Sequence, residues 1–180
     1  MSRRRVGVPA GVLVCVSVLV GCGATDVDAE ADAATTATAD VQGSGPFVGE
    51  CGSVTDGEVA AAFGVSGFAT VIRNSVGCEW QMSAQGSQGA PHVSFSWYRG
   101  SPIGRERAGS ELIGRPATDI EIGGQPGFVA SSSSRLCELG VQFDDDFVHW
   151  SIAYAGQIPT ADPCEAARRL AELTVARAVP

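Results

Sequence analysis

The chain has 180 residues, with 20 Asp or Glu against 12 bases, all of them Arg, for a net charge of -8 at pH 7. Three of those arginines fall within the first five residues, leaving nine bases against twenty acids beyond them, a net charge near -11. Such a surface repels nucleic acid and anionic headgroups, which excludes a polyanion-binding protein, and the length suits one domain with a single core.

Arg3, Arg4 and Arg5 form a positive start, and Val12 to Val20 is an apolar run too short to span a bilayer. At its end, Leu19-Val20-Gly21-Cys22 has the order of the bacterial lipobox. In proteins with that motif the cysteine thiol receives a diacylglyceryl group and the chain is cut before it. Residues 1–21 are therefore expected to be a lipoprotein signal peptide and Cys22 the lipidation site, while Cys15 is discarded. Acyl chains anchor through burial of methylenes at roughly 0.8 kcal/mol each, so two or three chains hold durably where one is marginal. Residues 22–46 are rich in Ala, Thr and Asp without a periodic apolar face, and are expected to form a disordered tether. Residues 47–180 are expected to fold as one α+β domain.

In that domain Thr55-Asp56-Gly57-Glu58 fits a capping box, with Val54 and Val59 as a hydrophobic staple and Gly64 as the helix stop. Strands follow near Thr70 to Arg73 and Cys78 to Met82. Ser83 to Ala90 is a loop, and His92 to Arg99 is a strand with Val93, Phe95 and Trp97 inward. Ser101-Pro102 reads as the start of a short helix to Leu112, Ser as cap and Pro as first helical residue, weakened by Gly104 and Gly109. Asp119 to Ile122 and Gly127 to Ser131 are strands joined through Gly123-Gly124, Pro126 arguing for an edge or a wider loop. Leu136 to Phe143 and Phe147 to Tyr154 make the strongest hairpin, with Asp144-Asp145-Asp146 as its turn. Asp162-Pro163-Cys164-Glu165 opens the last helix, which buries Ala166, Leu170 and Leu173. These elements predict an antiparallel sheet of about six to seven strands with the N- and C-terminal helices packed on one face.

Four cysteines remain in the domain: Cys51, Cys78, Cys137 and Cys164. An even number in an oxidising compartment reads as two disulfides. Of three pairings, Cys51 with Cys78 and Cys137 with Cys164 is preferred, because each joins a cysteine at the start of a terminal helix to one on a nearby strand. Zinc is disfavoured because the spacings hold no close Cys pair. Cys51 heading a helix with Glu58-Val59-Ala60, Cys78-Glu79-Trp80 on a strand, a Gly123-Gly124 turn and a terminal Cys164 helix together resemble the actinobacterial lipoproteins grouped as domain of unknown function 3558. The resemblance covers about Phe47 to Val175. It departs at Glu50, where members often carry Pro. It implies an envelope location and two disulfides, and no established activity.

No serine-hydrolase elbow, metal cluster or phosphate loop is present, so neither enzyme activity nor a cofactor is expected. Strand alternation puts His92, Ser94, Tyr98, His149 and Ser151 on polar phases, a candidate binding face if the strands adjoin and no helix covers them. The three tryptophans fall on apolar phases and read as core. The function expected is a non-catalytic binding or accessory module, lipid-anchored on the outer side of the cell membrane, with an envelope protein as partner. The alternative is a carrier of a small apolar ligand or lipid in a cavity between sheet and helices.

Overall fold

The computed structural model describes residues 45–84 and 89–178. The signal, Cys22, most of the tether and the middle of the Ser83–Ala90 loop lie outside the described residues. The elements run α1 (Asp56–Phe63), β1 (Thr70–Asn74), β2 (Gly77–Gln81), β3 (His92–Tyr98), α2 (Ile103–Leu112), β4 (Ala117–Ile122), β5 (Gln125–Ser133), β6 (Leu136–Phe143), β7 (Asp146–Ala153) and α3 (Pro163–Arg177). All seven strands form one antiparallel sheet in the order β1-β2-β3-β7-β6-β5-β4. The fold is α+β, as expected.

The first helix forms for local reasons. Thr55 accepts from the Glu58 N–H while the Glu58 carboxylate returns to the Thr55 N–H at 2.9 Å, and Gly64 closes the helix at φ 80°. Asp162 caps α3 by accepting from the N–H groups of Cys164 and Glu165, both at 2.9 Å. Arg177, in the last turn of α3, reaches Glu58 with both terminal nitrogens, joining the two helices.

Both terminal helices lie against the sheet face carrying Trp80, Val93, Leu139, Val141, Trp150 and Ile152, none of them exposed to solvent. Val59, Phe63, Ala167 and Leu170 fill the opposite side of this layer. Trp80 donates its indole proton to Asp56 at 2.7 Å and Trp150 donates to Thr174 at 3.3 Å, so both buried indoles are satisfied. The disulfides Cys51–Cys78 and Cys137–Cys164 close the same layer, with Cα separations of 5.3 and 5.1 Å. Both expected pairings are present.

Four local expectations are corrected. Cys51 does not start the helix: it sits in a separate turn, Glu50–Ser53, where Cys51, Gly52 and Ser53 all have left-handed φ of 54°, 70° and 57°. Gly52 is required there, since a side chain would strike Phe95 and Thr174. Ser101 is not a cap either. Pro102 occupies the N-cap position, and the first helical N–H, of Ile103, donates instead to the Gln142 side chain at 3.3 Å. β5 is an interior strand and the loop before it is short: Gly123 and Gly124, at φ 57° and 83°, form a two-residue turn. Pro126 opposes Glu121 one step beyond the hydrogen-bonded Ile122–Gln125 pair, so its missing N–H costs β4 no bond. Finally, the hairpin turn is Asp144-Asp145 alone, because Asp146 pairs with Phe143 as the first residue of β7 and is fully buried.

Candidate functional site

The β3–β7 register sets Ser94 opposite Ser151, Ser96 opposite His149 and Tyr98 opposite Phe147, with His92 opposite Ala153. The five candidate residues therefore share one sheet face, the one turned away from α1 and α3. His92, Ser94, Ser96 and Ser151 are half-buried, and Tyr98 is 36% exposed while stacking on Phe147 at 4.4 Å. On β2 the row continues into Glu79 and Gln81, joined by a 2.7 Å side-chain hydrogen bond. His92 Nδ1 lies 3.0 Å from the Ala90 carbonyl oxygen. Burial first, then the nearby Glu106 carboxylate, push the Tyr98 phenol above its usual range. The result is a shallow polar shelf of hydroxyls, one imidazole, one carboxylate and one amide, able to donate and accept hydrogen bonds.

His149 belongs to a different environment. α2 crosses this face over β5 and β6, and His149 is only 7% exposed, its ring 6.4 Å from that of Phe128. Its Nε2 is buried without a hydrogen-bond partner. Desolvation dominates and lowers its pKa, opposed by Glu106 and Glu138 and assisted by Arg115. Beside it Ser110 donates to Glu138 at 2.9 Å and Arg115 pairs with the other carboxylate oxygen. This is no nucleophile–base pair, because Ser110 spends its proton on a carboxylate and makes no bond to His149. The helix thus covers one corner of the candidate face and leaves the His92–Ser94–Ser151 part uncovered.

A second feature escaped the sequence reading. Trp97 has the inward phase expected of it, but β3 outruns the core there, and the residue is half-buried at the rim. Phe47 meets it edge-on at 5.7 Å, and the Arg99 guanidinium lies 4.8 Å from its ring centre. Arg99 also lies 3.7 Å from the buried Asp146 carboxylate. Two open clefts, of about 360 and 440 Å³, flank Trp97 and share Ser75 and Val76. Phe47 and Val76 are each 62% exposed at this rim. The only signal in the sequence was the position of Trp97 late in its strand. Among the described residues no group of three His, Cys, Asp or Glu side chains is placed to hold a metal.

A family model described as "Protein of unknown function (DUF3558)" matches residues 17–177. Proteins named "Putative lipoprotein LprB" from Mycobacterium bovis and Mycobacterium tuberculosis strain H37Rv are each 45% identical over 137 residues, covering 73% of this chain and 72% of their own. The protein of the same name from Mycobacterium leprae is 44% identical, covering 73% and 71%. No solved structure matches the chain significantly.

Proposed function

Because the chain belongs to the DUF3558 family and its mycobacterial relatives carry a lipoprotein name, we propose that it is a non-catalytic binding module held on the outer face of the cell membrane by a lipid on Cys22. Residues 1–21 are its signal, 22–46 its tether and 47–180 its single domain. Its binding surface is the uncovered shelf of His92, Ser94, Tyr98 and Ser151.

One observation carries the reading. One sheet face is filled by two helices, whereas over β2, β3 and Ser151 of β7 the other presents hydroxyls, an imidazole, a carboxylate and an amide that no described helix covers. Such donors and acceptors give orientation to a protein partner and add little affinity by themselves. The carrier reading needs room between sheet and helices, where Trp80, Leu139, Trp150, Ile152 and Leu170 are wholly buried and Trp80 stacks on Trp150 at 5.9 Å. That packing favours the module.

The test is a photo-crosslinking residue placed at Ser94 or Ser151, with the exposed Glu172 on the outer face of α3 as comparison, in cells making the full chain. Adducts of one fixed mass from the two shelf positions, absent at Glu172 and abolished by Ser96→Arg, support a partner-binding shelf. Equal labelling from all three positions counts against it. Lipid retained by the purified protein in native mass spectrometry favours the carrier.

A further inference from the structure

The Trp97 rim is a separate surface from the shelf, and its occupant follows from where the chain enters the domain. Phe47 is among the first described residues, lies 25 positions after Cys22 and is itself part of the rim. Around it stand Val76 from the β1–β2 turn and Trp97 from the end of β3, with the Trp97 N–H donating to the Val76 carbonyl at 2.8 Å. Phe47, Val76 and Trp97 thus line one corner, with Arg99 over the Trp97 ring.

We infer that this corner docks on the lipid interface, seating the domain on the membrane that anchors it. Trp and Arg are side chains that suit the headgroup boundary, where an apolar body meets a polar edge. The anchor holds the corner close to the bilayer, since 25 residues span at most about 90 Å even when fully extended. A patch too small to bind a membrane from solution is then sufficient, because the second contact is intramolecular. Arg99 lies 3.7 Å from the Asp146 carboxylate, while Glu50 lines the first cleft and Asp144 is exposed on the next hairpin turn, so acids outweigh the base named at this end. Docking therefore rests on apolar burial and is stronger on neutral than on acidic bilayers. The inference rests on the lipid anchor at Cys22.

Tryptophan emission reads it directly, because Trp80 and Trp150 are wholly buried and only Trp97 lies at the rim. The lipidated full-length protein is reconstituted into phosphatidylcholine vesicles with chains brominated just below the headgroup. Wild type is expected to float with the vesicles and lose about one third of its emission, the share of one indole in three. Phe47→Ser/Val76→Ser, changed only at exposed positions, should float equally and keep its emission. Wild type that floats unquenched overturns the docking and leaves the anchor standing. Quenching that fades as protein per lipid rises assigns the corner to a second copy, and likewise overturns it. Failure to float removes the anchor and the docking together.

Discussion

The Tyr154 hydroxyl donates to the Phe63 carbonyl oxygen at 2.9 Å while the two rings stack 4.4 Å apart, tying the end of β7 to the end of α1 across 91 residues. The same hydroxyl accepts from the Ala161 N–H at 3.2 Å, so one oxygen serves a helix end and the approach to α3. Tyr154→Phe keeps the stack but strands that N–H, and is expected to cost about 1–2 kcal/mol. Tyr154→Ala also removes a fully packed ring and should cost about 3–5 kcal/mol. Urea denaturation of the two variants separates hydrogen bond from packing.

The disulfides each close a loop of sequence separation 27. Chain-entropy arithmetic for loops of that length gives roughly 3–4 kcal/mol each. Cys137→Ala/Cys164→Ala should therefore lower stability by about that amount and leave Cys51–Cys78 intact. Peptide mapping without reduction reads the surviving link.

Acid should destabilise the domain in two stages. His149 is held neutral by burial, so an unfolded chain binds protons more readily, and stability falls as pH drops below the ordinary imidazole range. Glu58, held down to about 2 first by Arg177 and then by the Thr55 N–H, keeps its contribution above pH 4.5 and loses it as pH falls toward 2. His149→Gln is expected to flatten the first stage only, as followed by melting temperature against pH.

Two arginine pairs should differ in worth. Arg115 meets Glu138, whose side chain is only 10% exposed, whereas Arg73 meets a half-exposed Asp56. Arg115→Ala leaves a poorly solvated carboxylate held by Ser110 alone and should cost about 1–3 kcal/mol, discounted because Arg115 is itself a quarter exposed. Arg73→Ala should stay within about 1 kcal/mol. Hydrogen exchange in α2 should rise in the first variant only.

What the sequence made legible follows from where the governing contacts lie. Thr55 with Glu58, Gly123 with Gly124, and Asp162 before Pro163 act within a few residues, and each formed as expected. Alternation correctly put Trp80, Trp97 and Trp150 on one face and His92, Ser94 and Ser151 on the other. It could not say what lies over either face. α2 has no apolar stripe: it is held through Ser110, the neighbouring Arg115, and Arg107 pairing with Asp119, all contacts between distant segments. His149 is buried for that reason. The left-handed run at Cys51–Ser53 and the burial of Asp146, which accepts from the Gly100 N–H at 2.8 Å, are likewise set by what folds against them.

The anchor is tested most directly by replacing Cys22 with Ala and fractionating the cells. Wild type is expected in the membrane fraction, with an N-terminal cysteine carrying the mass of a diacylglyceryl group. The Cys22→Ala protein should escape anchoring while keeping both disulfides. A variant that stays in the membrane as wild type does, or a wild-type protein whose Cys22 is unmodified, would contradict the account.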